Sequence, residues 1–297
     1  EVARVRAPVV VQLEPVEELL RRAVDISMPQ AVLQAEYTWG LVDTGALRFW
    51  SAYMSQGEGI IVANIDSGVQ YDHPALAAAY RCLGTDLPPA ACWKDATSTT
   101  AGDLPSDNLG HGTHTMGTMV GTDKAAYEPS VGMAPRAEWI ACKAFAGNRA
   151  PDQNLLDCAQ WILAPGSNPA YRPHVVNNSW GGGIDSSDWF LASVKAWRAA
   201  GIFPVFSAGN DEYKTGCEKM GSPADYPESF SVGAHDIYGM IASFSLNGSD
   251  GFNTSFITKP NLSAPGVSVY SSLPTNTYGY YSGTSMSAPH ASGAVAL

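Results

Sequence analysis

The stretch that most restricts what this chain can fold into is "GIIVANIDSG", Gly59 to Gly68. It is almost continuously apolar until Asp66, Ser67 and Gly68 stop it. A run without hydrophobic–polar alternation predicts a strand buried on both faces, which is the signature of a parallel sheet rather than a sheet with one wet side. Comparable runs recur at "EWIACKAF", "HVVNNSW", "GIFPVFSAGN" and "SFSVGA". Helical patterns separate them: "HGTHTMGTMVG", "NLLDCAQWILA" and "DSSDWFLASVKAWRAAG", the last closed by Gly201 just past its end. Strand alternating with helix predicts an α/β fold, a mainly parallel sheet flanked by helices in three layers. No repeat or low-complexity tract interrupts it.

In such sheets ligands bind beyond the carboxyl ends of the strands. Asp66 stands at the end of the first apolar run, Asn177 to Gly183 after the third, and Gly209-Asn210 after the fourth. Each alone also reads as an ordinary strand-to-helix turn. Together they gather polar and glycine-rich stops on one sheet edge.

Bulk properties narrow the function classes. The chain has 297 residues, of which 45% are hydrophobic and 15% charged, so a large core can form. The formal net charge of −11 has the wrong sign for a protein that tracks phosphates, which sets nucleic-acid binding aside. No apolar run is long enough to span a membrane. The first residues do not show the ordered regions of a signal peptide. Five cysteines leave an odd thiol, and none of their spacings suits zinc. Cys82 and Cys92 flank a Pro-Pro loop and suit a local disulfide. Cys142 and Cys158 sit in apolar segments and read as buried thiols.

Glu14 to Ile26, "EPVEELLRRAVDI", reads as an amphipathic helix with acids early and arginines late, as the helix dipole favours. Near the other end stands "YYSGTSMSAPHASG". Its small residues permit a tight turn, and Pro289 is expected in the first turn of a following helix. Ser285 would then lie at a helix N-terminus, beside unbonded backbone N–H groups. The stretch alone admits two readings, a capping serine or a nucleophile beside an anion site.

Acyl transfer needs a nucleophile, a base, a group that orients the base, and donors for the oxyanion. Asp66, His111 and Ser285 could supply the first three functions. Asp66 ends an apolar strand, where a buried carboxylate needs a partner. His111 lies between Gly110 and Gly112 in "GHGTHTMGT", at the start of a helix. The order Asp, His, Ser along the chain is that of subtilisin.

These motifs resemble those of the subtilisin-like serine proteases, the subtilases, of the secreted bacterial endopeptidase type, from about Ala35 to the last residue. The resemblance implies that "NIDSGV" holds the triad aspartate Asp66, "GHGTHTMGT" the triad histidine His111 rather than His114, and "GTSMSAPH" the nucleophile Ser285. It implies the three-layer subtilisin-like fold and an oxyanion donor in Asn210 of "SAGN". A substrate strand would pair with Ser179, Trp180, Gly181 and Gly182. The pocket before the scissile bond would lie between Ser179-Trp180-Gly181 and Ala208-Gly209, with Gly221 near its floor. Large apolar residues suit such a pocket, while Asp211 and Glu212 at its rim would attract lysine or arginine, so broad specificity is expected. His114 reads as a packing residue, and Met286 as a shaper of the site that is open to oxidation.

Many subtilases hold calcium through a carboxylate just after the "HP" that follows the triad aspartate. Here that place is Ala75, so the usual ligand is missing there and no cofactor is required. Asp72, Asp103 and Asp107 are candidate ligands for another structural calcium site, although loop carboxylates are usually just solvated. Residues 1–34 resemble the tail of an inhibitory propeptide, with processing near Gln34-Ala35, and 35–297 a catalytic domain truncated at its C-terminus. The resemblance further implies an extracellular enzyme, made as a zymogen, that acts on polypeptides, is inhibited by its own propeptide and works as a monomer. The rival reading is a non-catalytic peptide-binding protein on the same scaffold.

Overall fold

A computed structural model describes residues 8–24, 36–98, 102, 104–122, 130–181, 186–213, 220–249 and 258–297. The chain begins with β1 (Val10–Gln12) and α1 (Val16–Val24), then α2 (Trp39–Asp43) and α3 (Ala46–Tyr53). Next come β2 (Ile61–Asp66), β3 (Trp93–Asp95), α4 (His111–Val120) and β4 (Glu138–Lys143). After β5 (Arg149–Pro151) and α5 (Asp152–Leu163) follow β6 (Val175–Asn178), α6 (Leu191–Ala199), β7 (Phe203–Ser207) and β8 (Phe230–His235). The last elements are β9 (Gly248–Ser249), β10 (Thr258–Lys259), β11 (Leu262–Pro265), the hairpin of β12 (Val269–Leu273) with β13 (Thr277–Tyr281), and α7 (Thr284–Ala296).

Every strand that the apolar runs predict lies in one seven-stranded sheet, in the order β11-β8-β7-β6-β2-β4-β3. All neighbouring pairs are parallel. The physical reason is burial: β2 is covered at each of its six positions, which only a sheet with helices on both faces provides. α4 and α7 pack on each other over one face, and α5 and α6 pack on each other over the other. From β2 the chain runs to the edge strand β3, returns to lay β4 between them, then crosses β2 to lay β6, β7, β8 and β11 on the opposite side. The winding direction therefore switches beside β2, where the crevice for a ligand opens. An aromatic group fixes α6 to this sheet: Trp180 meets Phe190 edge-on at 5.3 Å, and Phe190 meets Trp197 at 5.4 Å.

Four local expectations change. α1 begins only after Pro15, so Glu14 is left in the approach to the helix rather than in it. Cys142 and Cys158 are not free thiols. Strand β4 and helix α5 bring their Cα atoms to 5.7 Å, and they form a disulfide, as do Cys82 and Cys92 at 6.0 Å; Cys217 lies outside the described residues. Asp107 is not solvated, for it accepts hydrogen bonds from Ser67, Leu109, Gly110 and Thr113 at the start of α4. Pro289 falls in the second turn of α7 rather than the first, because the helix already begins at Thr284 with Gly283 as its cap. A proline there removes the N–H that would have bonded the carbonyl four residues back, which is that of Ser285.

Candidate active site

Three chain turns meet at the crevice beside β2. Asp66 is the last residue of that strand and fully buried. Its Oδ1 accepts the Ser67 backbone N–H at 2.7 Å and lies 2.8 Å from His111 Nδ1. The imidazole arrives from the first residue of α4, which starts at Gly110 with φ +94°. Gly112 lets helix and strand come this close: a Cβ there would lie 2.1 Å from the Gly68 carbonyl and 3.0 Å from Asp66 Cβ. Because Nδ1 faces the carboxylate, it carries the proton, and Nε2 is left as the lone-pair nitrogen. That Nε2 is buried without a hydrogen-bond partner.

Burial disfavours a charged His111, but the attraction and hydrogen bond of Asp66 outweigh it, aided by Asp107 and Glu14, so the imidazole pKa is raised above its ordinary 6.5. His114 has the opposite fate. Stacked on Tyr281 at 4.5 Å and aimed at the Val269 and Gly279 carbonyls, it is pushed down to about 3 by burial and stays neutral. It is a packing residue, as its place in the sequence suggests.

Ser285 is the second residue of α7, where backbone N–H groups have no partner within the helix. The N-cap residue of this helix is Gly283, so the capping role that the sequence allowed Ser285 is not taken. Its hydroxyl donates to the Ser179 carbonyl at 3.0 Å. Ser179 Oγ in turn donates at 2.8 Å to the Ser285 carbonyl, the one released by Pro289. Ser179 Oγ is held by Asn177 at 2.9 Å, and Asn177 reaches Asn64 and Ser292. Asn64 bonds Gly112 and Thr115 of α4. A fully buried chain of amides and hydroxyls thus joins the His111 helix to the Ser285 helix, and no local sequence pattern marks it.

Asn210 follows β7. Its Oδ1 accepts from the Thr284 backbone N–H at 2.9 Å and from Thr284 Oγ1 at 3.0 Å, which turns Nδ2 into the crevice. A cavity of about 560 Å³ opens beside it, lined by Ser179, Trp180, Gly181, Ala208, Gly209, Asn210, Gly221 and Ser285. These are the sequence-predicted pocket residues brought together, except Gly182, which lies outside the described residues. Trp180 lines this cavity, while its indole N–H bonds the Ile65 carbonyl and its ring packs in the core.

The crevice also holds the chain's own N-terminal segment. β1 pairs antiparallel with β5, Leu13 N–H bonds the Asn148 carbonyl at 2.7 Å, and residues 9–15 cover one side of the cavity. Glu14 Oε2 accepts from Asn210 Nδ2 at 2.7 Å. Beyond Pro15, α1 buries Leu19 against Val269, Tyr281 and Met286, a contribution of about 1.5–3 kcal/mol. Arg22 is paired with both Glu14 and Glu212. Burial raises the Glu14 pKa above its ordinary value, against the pull of Arg22 and Asn210. Glu212 is thus taken up by the chain's own arginines rather than left as a free carboxylate at the rim.

The subtilase family profile matches residues 57–297. The chain belongs to the subtilase family. This subtilase is 42% identical over 271 residues to bacillopeptidase F of Bacillus subtilis (strain 168), covering 87% of this chain and 18% of that protein. Over 242 residues it is 31% identical to subtilisin E of the same organism, covering 81% of this chain and 55% of that protein. The chain thus spans well under two thirds of the length of either relative. At the position where many subtilases hold calcium stands Ala75, fully buried, whose side chain offers no oxygen. Among the described residues no three His, Cys, Asp or Glu side chains gather to hold a metal, and no helix is long and apolar enough to cross a membrane.

Proposed function

We propose that this chain is the catalytic unit of a secreted serine endopeptidase, made as a zymogen, with Asp66, His111 and Ser285 as its triad. The observation that carries this reading is the buried Asp66–His111 pair, 2.8 Å apart with Nε2 unpartnered, joined to the crevice that Ser285 and Asn210 line through Glu14, which bonds the Asn210 amide and interacts electrostatically with His111. In the reaction Ser285 Oγ turns from the Ser179 carbonyl and attacks the peptide carbonyl carbon. His111 Nε2 takes its proton, and Asp66 holds the imidazole and stabilises its cation. Asn210 Nδ2 and the Ser285 backbone N–H bind the oxyanion. Collapse breaks the C–N bond, and His111 hands the proton to the leaving amine. Water then repeats the sequence on the acyl-enzyme. The chemistry requires no cofactor.

Residues 1–34 act as the inhibitory propeptide of 35–297. β1 lies against β5 as an added strand, the mode by which a peptide substrate would bind. At Asn210, however, the segment presents the Glu14 carboxylate where a scissile carbonyl would lie, so the segment occupies the site without being cut. Two disulfides suit an oxidising, extracellular setting. Substrates are polypeptides of broad sequence, and the enzyme works as a monomer.

A fluorophosphonate probe tests the reading directly. It should attach to Ser285, and Ser285→Ala should abolish both labelling and casein hydrolysis. A folded chain that stays unlabelled after removal of residues 1–34 by limited proteolysis would instead favour a non-catalytic peptide binder.

A further inference from the structure

Arg22 shows how the far side of the crevice receives a cation. Its side chain is only 8% exposed. Nε donates to Glu212 Oε1 at 2.8 Å, and the guanidinium carbon stands 4.7 Å over the centre of the Phe244 ring. A planar cation held on an aromatic face with a carboxylate at its edge is a guanidinium receptor, and a flexible ammonium fits it less well. Glu212 and Phe244 are both fixed beside the oxyanion donor. Asp211 N–H bonds the Phe244 carbonyl at 2.8 Å, and Asn210 forms a bridge with Ser245. The residues before Glu14 cover the acyl side of the cavity, and the chain passes Asn210 at Glu14. Arg22 therefore lies on the opposite side, where the leaving amine's chain would run.

We infer that Glu212 and Phe244 form a subsite for an arginine side chain on the leaving-group side of the scissile bond, filled by Arg22 in the closed chain. The subsite's use on substrates rests on the peptidase reading; its guanidinium chemistry does not. Once α1 leaves, Glu14 leaves with it, and Glu212 remains as the carboxylate that a substrate arginine meets. The neighbouring Asp211 adds a second negative charge to this edge.

Two measurements test it. In the full chain carrying Ser285→Ala, so that no self-cleavage intervenes, Arg22→Ala vacates the subsite. Ethylguanidinium at millimolar concentration should then raise the melting temperature, ethylammonium should do so less, and the parent that retains Arg22 should not respond. Adding Glu212→Gln should cancel the response. In the active enzyme, quenched fluorogenic peptides carry arginine or citrulline at each of the first few positions after the cleaved bond. Arginine should be favoured about tenfold in kcat/KM at one of them, and Glu212→Gln should bring that ratio close to one. Equal stabilisation by ethylguanidinium with and without Arg22, or an arginine preference that survives Glu212→Gln, would overturn the assignment. If no peptide is cut at all, the peptidase reading fails, while the melting experiment still decides the subsite.

Discussion

Arg21 and Arg22 are adjacent, and both touch Glu212, yet replacing them should have very different consequences. Arg21 is 50% exposed, so its ion pairs are screened by solvent. Arg22 is 8% exposed and is the cation shared by Glu14, 17% exposed, and Glu212, 31% exposed. Removing one partner of a fully buried ion pair costs about 3–5 kcal/mol, and with these residual exposures we take about 2–4 kcal/mol. That loss falls on the closed state alone, because in the open state all three groups are hydrated. At 1.36 kcal/mol per decade it raises the open fraction by about 30- to 900-fold. Labelling of Ser285 by a fluorophosphonate needs an open crevice, so its rate in the unprocessed chain measures that fraction. Arg22→Ala should therefore speed labelling by about two orders of magnitude, and Arg21→Ala by less than about threefold. The excess should also depend on pH. With Arg22 gone, burial raises the Glu14 pKa further, so the closed state binds a proton more readily than the open one. Acid then favours closure, and the ratio of variant to parent rates should shrink as pH falls. Equal effects of the two substitutions, or a ratio that grows in acid, would refute the argument from burial.

Asn210→Leu should lower turnover by about a hundred- to a thousandfold with little change in KM, a magnitude taken from subtilisin itself; an effect confined to KM would make Asn210 a substrate-binding residue instead. Reactivity toward the probe should rise with pH through a midpoint above 6.5, since the raised His111 pKa keeps the base protonated below it, and Asp66→Asn should shift that midpoint down. A midpoint unmoved by Asp66→Asn in a pH titration would detach the carboxylate from the base. Replacing both Cys142 and Cys158 by alanine opens a closed loop of 16 residues and should cost about 3 kcal/mol, read by calorimetry as a melting point lower by about 5 °C.

The strands could be read from the sequence because each parallel strand buries both faces and must be largely apolar. That constraint is local, and β2, β4, β6, β7 and β8 each carry an apolar run that meets it. The positions of Asp66, His111 and Ser285 were legible for a related reason: each sits where a regular element starts or stops, and small residues mark such points. What the tertiary structure alone decided are meetings between distant segments. Cys142 and Cys158 each look like an ordinary core thiol until β4 and α5 are packed side by side. Asn64, Asn177 and Ser179 look like polar interruptions of strands until their amides and hydroxyls join across the sheet. Pro289 looks like a helix start, although its effect is to free the Ser285 carbonyl for Ser179. Glu14 and Arg22 look like surface charges of an amphipathic helix. Only the docking of that helix separates buried Arg22 from exposed Arg21, because burial depends on what lies opposite a side chain, and local sequence does not carry that information.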